Sequence, residues 1–297
     1  MKKVDVRNIK FDPNVLKEEE NALARLKENE AVYKIIHDDL ELSTAEVKTY
    51  LGSLLDLEED MNICACCPGL DACPKSHRAF CLKLGFVEGQ LSRFYEPCQK
   101  KQTYDEMMSR FFIRDFDPSW MEEDLRRVDR AGIRETLLKE FRSIVKNESS
   151  RWLYVSGGHR QGKSYILALM AKDYGAIHHP AGFATTSKLI DNMKEKAIKE
   201  KEKFEKNMNL LQNAPLLVLD EFGNEYKSDF VFSSILYPLL STRAKKNLPT
   251  WFTSDFKIDE IVDMYQGKIG NVRAKQFASL LKEHCKSEFI LDGVVVY

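Results

Sequence analysis

The fold of this chain is decided by one loop segment, Gly157-Gly158-His159-Arg160-Gln161-Gly162-Lys163-Ser164. The segment matches the pattern G-x-x-x-x-G-K-[ST], follows a strand predicted over 152–156 and opens a helix predicted over 163–173. Glycines allow a backbone to wrap around phosphate groups, and the N–H groups at the start of a helix attract anions. We therefore predict a phosphate-binding loop (P-loop). A glycine-rich turn that binds nothing is the less favoured interpretation.

The residues of the predicted P-loop have different expected roles in nucleotide binding. We expect Lys163 to contact the β- and γ-phosphates of ATP and Ser164 to bind Mg²⁺. The other nucleotide contacts are assigned to the rest of the loop and to the residue that follows it: Gly157, Gly158, His159, Arg160, Gln161, Gly162 and Tyr165.

A second group of candidate residues follows the apolar run 216–219, which predicts a buried strand. The run ends in Asp220 and Glu221. A carboxylate at the end of a strand is suited to hold Mg²⁺, which is the role predicted for Asp220. Glu221 is predicted to polarise the attacking water. Beside a P-loop, this pair predicts an ATPase rather than an ordinary solvated strand end.

Strands and helices alternate along the rest of the second half. Further strands are predicted at 182–186, 250–253, 289–291 and 294–296, and helices at 122–146, 187–211, 229–246 and 271–283. This alternation predicts the α/β class, with a mostly parallel sheet covered by helices on both faces. The charged stretch 194–206 mixes acids with bases, which favours the solvated side of a helix over a DNA-binding face.

Composition limits the class of protein. The chain has 297 residues, 43% hydrophobic and 31% charged, which is typical of a soluble protein. The charged segment 99–102 predicts a boundary between a domain 1–102 and a domain 103–297. A net charge of −1 excludes a strong whole-protein field for nucleic acid. No apolar run reaches the ~18–20 residues that cross a bilayer, and the charged start resembles no export signal. We expect no membrane contact and a cytoplasmic location.

The first domain is predicted to be helical over 14–60 and to continue into a cysteine-rich stretch. Six of the seven cysteines lie between 64 and 98, and in a reducing compartment such a cluster indicates a metal rather than disulfides. Cys64 and Cys67 have the spacing of a zinc ligand pair, and a second pair would complete a tetrahedron. An iron–sulfur cluster and unligated buried cysteines are the alternatives to Zn²⁺.

Three stretches resemble a known family, the primosomal helicase loaders of the DnaI type, whose second half is an AAA+ ATPase domain. The stretches are 155–164, 217–223 and 248–255, and the closing 291–293 also fits. The resemblance covers the ATPase half well and the cysteine-rich stretch loosely. It implies that Cys81 and Cys98 complete a zinc site with Cys64 and Cys67 in a small, mainly helical domain. Cys73 and His77 are possible substitutes.

The resemblance also implies two roles in hydrolysis. The third stretch resembles the family's sensor strand, which usually ends in Asn where this chain has Asp255. A carboxylate is repelled by the γ-phosphate, so we expect Ser254, or else Thr253, to make that contact. In the family a late helix carries an arginine that reaches the nucleotide of a neighbouring subunit. Arg273 is the first candidate for this contact and Arg243 the second.

The function implied by the resemblance is ATP-dependent loading of the replicative hexameric DNA helicase onto single-stranded DNA, during initiation or restart of DNA replication. The first domain would grip the helicase, and the second would associate with copies of itself in a ring or spiral. A transposition helper ATPase of the IstB type is one alternative. The others are an adaptor that binds nucleotide without hydrolysing it and a zinc-dependent DNA-binding regulator.

Overall fold

The computed structural model of the protein describes residues 13–146 and 152–292. The chain divides into two compact units, Met1–Thr103 and Tyr104–Tyr297. None of the helices in the described ranges combines the length and the hydrophobicity of a transmembrane segment.

Helices open the first unit. They are α1 (Pro13–Glu28), α2 (Glu30–Lys34), which continues into a π-helical turn, α3 (Thr44–Thr49) and α4 (Leu51–Ala65). The Ser43 hydroxyl accepts a hydrogen bond from the N–H of Glu46, and the Glu46 carboxylate accepts one from the N–H of Ser43. This capping box starts α3. The helices share a small apolar core formed by Leu26, Val32, Ile36, Leu42 and Leu54.

A β-hairpin follows the cysteine-rich turns of the first unit. Its strands, β1 (Phe80–Val87) and β2 (Gln90–Pro97), are antiparallel. The turn residues Glu88 and Gly89 both have positive φ, as a tight two-residue hairpin turn requires. Leu84 of β1 packs against the helical core, which joins the hairpin to the helices of this unit.

The segment 99–102, which we predicted as the domain boundary, is helical. It forms the first turn of α5 (Gln99–Ser109), and the N–H of Gln102 donates to the carbonyl of Cys98 at 2.9 Å. Lysine and glutamine are good helix formers, so the charges of this segment indicate exposure to solvent rather than a break in structure. A short strand, β3 (Phe111–Arg114), comes next.

The helix predicted over 122–146 is shorter than expected. The observed helix, α6 (Ile133–Val145), is preceded by an irregular segment. Asp124 caps a separate 3₁₀ turn by accepting a hydrogen bond from the N–H of Arg126. Gly132 then has φ of +57°, outside the right-handed helical region, so no single helix can run through both residues.

The second unit is built on a six-stranded parallel sheet. Its remaining elements are β4 (Leu153–Gly157), α7 (Lys163–Gly175), β5 (Ala181–Thr185), α8 (Thr186–Lys199), α9 (Lys201–Asn213), β6 (Leu216–Asp220), α10 (Tyr237–Lys245), β7 (Thr250–Ser254), α11 (Ile258–Ile269), α12 (Asn271–His284) and β8 (Glu288–Leu291). The strand order is β3–β5–β6–β7–β4–β8, and neighbouring strands are parallel throughout. The predicted α/β class with a parallel sheet is confirmed. The strand predicted over 294–296 lies outside the described residues.

Two helical predictions need correction. The single helix predicted over 187–211 is the pair α8 and α9, because Glu200 between them has φ of −146° and leaves the helical region. The helix predicted over 229–246 begins as a π-helical segment, Val231–Leu236, and continues as α10. In the charged stretch, Glu195 and Lys199 form an exposed ion pair at 2.8 Å, as expected for a solvated helix face.

Both faces of the sheet are buried. Leu153 and Val155 of β4 belong to a core shared with α6 and α7, whereas Tyr154 points into a core shared with α8 to α12. Every residue of β6 is buried. The carboxyl ends of parallel strands lie along one edge of a sheet, where open α/β sheets bind their ligands. The loop after β4 and the acids at the end of β6, Asp220 and Glu221, therefore meet at this edge.

Arg243 of α10 lies inside the protein and does not reach the surface. Its guanidinium donates to the carbonyls of Leu211 at 2.7 Å, Ala214 at 2.9 Å and Pro249 at 2.5 Å, and to the Thr250 hydroxyl at 2.9 Å. Burial lowers the pKa of Arg243, and hydrogen bonds to carbonyls compensate for the lost water. The second candidate for a contact with a neighbouring subunit is thus wrong, because Arg243 is fully buried.

We expect Arg243→Met to lower the free energy of unfolding by roughly 3 kcal/mol, because several buried carbonyls lose their donor at once. Denaturant unfolding followed by circular dichroism measures the change. Lys245→Met, an exposed position of the same helix, is the matched control and should stay within about 0.5 kcal/mol of the parent. Equal stability of the two variants would contradict a structural role for Arg243.

Candidate functional site

The loop between β4 and α7 has the backbone geometry of a phosphate site. Gly162 has φ of +76° and stands at the start of α7, where no side chain caps the first-turn N–H groups. Those N–H groups and the helix dipole are available to an anion. Gly157 has φ of +142°, and a Cβ atom there would lie 2.2 Å from the carbonyl oxygen of Leu291. Glycine is therefore required at Gly157 and favoured at Gly162.

Lys163 lies inside this loop rather than in solvent. Its side chain is 8% exposed, and its ammonium donates to the carbonyls of Gly157 at 2.8 Å and Gly158 at 2.7 Å. The third partner is a carboxylate oxygen of Asp255, also at 2.8 Å. The predicted phosphate-binding cation thus already faces an anionic group of the protein.

The predicted Mg²⁺ ligands come together. The Ser164 hydroxyl donates to Asp220 Oδ1 at 2.7 Å, and the Thr253 hydroxyl donates to the same oxygen at 2.5 Å. Burial raises the pKa of the Asp220 carboxyl, and these hydrogen bonds with the nearby charge of Lys163 oppose the rise only in part. A bound divalent cation would hold the carboxylate in its charged form.

Glu221 lies beside the P-loop and has an unusual backbone conformation. Its φ is +54°, and left-handed backbone at a residue other than glycine costs of order 1 kcal/mol. The conformation is held because the N–H of Glu221 donates to the Thr253 hydroxyl at 2.9 Å. Glu221 lines the cavity together with Lys163 and Ser164. The strained turn thus places the predicted water-polarising carboxylate beside the P-loop.

Ser254 is placed differently from our expectation. Its hydroxyl is buried, donates to the carbonyl of Phe222 at 2.6 Å and accepts from the N–H of Phe256 at 3.0 Å. Both bonds hold the chain at the end of β7, so this hydroxyl is engaged within the protein and not directed at a phosphate. The residue that faces Lys163 is its neighbour Asp255.

Trp120 is a member of this site that sequence reasoning missed. It lies on a 3₁₀ turn, Pro118–Glu122, and lines the cavity with Tyr165, its ring 5.6 Å from that of Tyr165 at an angle of 89°. The only local signal is Asp117 before Pro118, a start signal for a helical turn. His159, Arg160 and Gln161 also line the cavity, and their nucleotide contacts stay a prediction.

The residues present fit a Mg²⁺–nucleotide. The loop offers uncapped helix N–H groups and an ammonium for phosphate, and Ser164 with Asp220 offers oxygen ligands for Mg²⁺. Among the residues that the structure describes, Gln161 Oε1 is a buried polar atom of this loop without a hydrogen-bond partner. An orphaned polar atom is unusual in a finished interior and is consistent with a site shaped for a ligand.

Arg273 lies on the surface of α12. Its guanidinium contacts Asp229 at 2.5 Å and the Ser233 hydroxyl at 3.1 Å, and its side chain is about half exposed. It makes no hydrogen bond to the P-loop of its own chain. Its assignment as the arginine that reaches a neighbouring subunit stays a prediction.

Two of the four predicted zinc ligands come together. Cys64, in the last turn of α4, and Cys81, on β1, have their sulfur atoms 3.7 Å apart, and with Asp60 they form a group of possible metal ligands within 4.8 Å of one another. No other such group occurs among the described residues. Cys67, which follows the end of α4, and Cys98, which follows the end of β2, lie outside this group.

A buried lysine lies beside Asp60 and Cys81 of this group. The Lys75 ammonium donates to Asp60 at 2.6 Å and lies 3.9 Å from the Cys81 sulfur. Burial opposes the charge of Lys75, but the hydrogen bonds to Asp60 and Cys64, together with the charges of Asp60 and Cys81, outweigh it and raise the pKa of Lys75. Burial also raises the pKa of the Cys81 thiol to about 11. As it stands, the group fits zinc only in part, one ligand short of a tetrahedral set. The substitute His77 stacks on Tyr95 at 3.9 Å.

Comparison with known proteins agrees with this geometry. No protein-family model matches the chain. The replicative helicase loader DnaI of Bacillus subtilis (strain 168) is 21% identical over 251 residues, which cover 82% of this chain and 77% of the relative. The resemblance to the DnaI-type loaders is confirmed.

Solved structures show the same fold. A crystal structure of DnaI superposes with a TM-score of 0.55 at 21% identity, covering 62% of this chain and 98% of that one. DnaA from Aquifex aeolicus, bound to AMPPCP, superposes with a TM-score of 0.50 at 12% identity over 60% of this chain and 52% of that one. The parallel sheet of the second unit therefore has the fold seen in the DnaI and DnaA structures.

We expect Asp220→Asn to stabilise the nucleotide-free protein and to abolish Mg²⁺-dependent nucleotide binding. The folded-state pKa of Asp220 is raised, so the stability given by its proton is present below the ordinary pKa and lost as pH rises through the raised one. The variant should thus be only slightly more stable than the parent at acidic pH. The difference in stability should be largest above the raised pKa. Thermal melting across pH measures this difference. Asp191→Asn, an exposed acid of α8, is the control, and a less stable Asp220→Asn at neutral pH would contradict the argument.

Proposed function

We propose that this chain is an ATP-dependent loader of the replicative DNA helicase, acting when replication is initiated or restarted. The observation that supports it most is the hydrogen bond from Ser164 to Asp220 at 2.7 Å, beside the Lys163 ammonium and at the carboxyl edge of the sheet. That arrangement suits Mg²⁺ and nucleotide, and the relative that covers most of the chain is named as a helicase loader.

In this proposal the chain's own residues divide the work of hydrolysis. Lys163 and the N–H groups at the start of α7 bind and orient the phosphates, and Ser164 and Asp220 hold the metal. Mg²⁺, when bound, neutralises charge that develops on the phosphates. Glu221 accepts a hydrogen bond from the attacking water and aims it. Thr253 fixes the geometry by contacting both Asp220 and the backbone of Glu221.

The partner surfaces are part of the proposal. We assign helicase binding and zinc to the domain 1–102, and nucleotide binding, single-stranded DNA binding and self-association to the domain 103–297. Arg273 is exposed and so accessible to a neighbouring subunit. An IstB-type helper ATPase shares the proposed chemistry and predicts a transposase as partner. A non-hydrolysing adaptor predicts binding without turnover.

Capture and turnover separate these functions. We expect the full chain, with ATP, to capture the replicative helicase from the same cell. Glu221→Gln should lower ATP turnover about 100-fold or more and leave capture intact, because it removes a base and not a phosphate contact. Glu202→Gln, an exposed acid of α9, is the control. Turnover that survives Glu221→Gln would contradict the assigned base. Failure to capture the helicase would overturn the loader function and leave an ATPase of another kind.

Metal analysis tests the zinc assignment. We expect about one Zn²⁺ per purified chain, the number that a single tetrahedral site holds. Cys64→Ser and Cys81→Ser should lose most of the metal, and Cys66→Ser, an exposed cysteine outside the predicted set, should retain it. Plasma emission spectroscopy gives the metal content. Visible absorbance with bound iron would favour the cluster alternative, and a metal-free parent protein would refute the site.

A further inference from the structure

The ion pair between Lys163 and Asp255 satisfies the P-loop lysine without any nucleotide. A lysine ammonium has three hydrogens to donate, and here they reach the carbonyls of Gly157 and Gly158 and the carboxylate of Asp255, at 2.7–2.8 Å. The lysine is buried, so little water competes for it. An incoming phosphate must therefore displace a protein acceptor, either a carbonyl or the carboxylate, rather than water.

Asp255 is held in this position by the end of β7. The preceding Ser254 is buried and bonded on both sides, to the carbonyl of Phe222 and the N–H of Phe256. The chain at this point cannot shift without breaking these bonds. The Asp255 side chain itself is 37% exposed, so it can turn toward solvent while the backbone stays in place.

The pair lies at the end of the site where the terminal phosphate belongs. Thr253, two residues before Asp255, accepts the hydrogen bond from the N–H of Glu221, the residue assigned to the attacking water. Because that water attacks the γ-phosphate, Asp255 approaches Lys163 from the γ-phosphate side. A triphosphate there places two anions on one ammonium, whereas a diphosphate does not extend so far.

We propose that Asp255 is a specificity-determining residue that makes the site discriminate against the triphosphate relative to the diphosphate. The inference rests on the proposed nucleotide-binding function and adds a preference to it. Before ATP can bind fully, the bond between Lys163 and Asp255 must open and the freed carboxylate must turn to solvent or meet a cation. ADP avoids most of this cost, because the β-phosphate can share Lys163 with Asp255.

Affinities measured for Asp255→Asn test the inference. Competition against a fluorescent ADP gives the Kd of ADP and of the non-hydrolysable analogue AMPPCP, each with Mg²⁺. We expect the variant to bind AMPPCP about tenfold more tightly, a modest value for the removal of one charge at a partly exposed site. The Kd of ADP should change less than about threefold, since the phosphates of ADP lie farther from the Asp255 charge. Asp255→Glu keeps the charge and should keep the preference for ADP.

Asp259→Asn is the matched control, because it removes an exposed acid of α11 that pairs with Lys282 and not with the P-loop. It should leave both affinities unchanged. Equal tightening of AMPPCP and ADP would overturn the inference, since Asp255 would then repel any anion. Weaker AMPPCP binding, or a higher Mg²⁺ requirement, would also overturn it and make Asp255 a metal ligand. If no variant binds either nucleotide, although each melts like the parent, the proposed function itself fails.

Discussion

The Asp220 carboxylate is the junction on which the second unit's site depends. One of its oxygens accepts from Ser164 on α7 and from Thr253 on β7, so three separate segments meet at a single buried atom. Burial makes the negative charge costly, as the raised pKa of Asp220 shows. The fold therefore keeps a buried carboxylate whose charge is unfavourable until a cation binds. Binding sites commonly have such groups at the expense of stability.

Strand β7 links this site to the interior, because each of its ends is fixed by a different set of hydrogen bonds. Thr250, at its start, contacts the buried Arg243, which also holds the ends of neighbouring segments. At the other end, Thr253 and Ser254 position Glu221 and the residue that faces Lys163. Because both ends of the strand are bonded, the backbone of Asp255 has a fixed position, and only its side chain can turn away from Lys163.

The sequence predicted the parts of the fold that local pattern determines. The apolar strands follow from the periodicity and length of the hydrophobic runs, and the P-loop and the acids at the end of β6 follow from sequence motifs. The structure places the P-loop and these acids at one edge of the sheet. The predictions failed where a distant contact or a single backbone angle determines the local structure. The helix predicted from 122 begins only after Gly132, the neighbours of Arg243 in the sequence do not reveal that it is buried, and Trp120 contacts Tyr165 across 45 residues of chain. The cysteine spacing likewise could not show that Lys75 lies beside Asp60 and Cys81.

Gly157 carries a consequence for how such chains change during evolution. A Cβ atom at this position would collide with the Leu291 carbonyl, so the glycine is required by the last described strand and not by any ligand. Lys163, by contrast, donates to the Gly157 carbonyl and to the Asp255 carboxylate, and both of these groups can accept hydrogen bonds from other donors. A descendant that lost its nucleotide would be free to replace the lysine while purifying selection on folding kept the glycine. In relatives of this chain, therefore, the lysine and not the glycine is the informative mark of retained nucleotide binding.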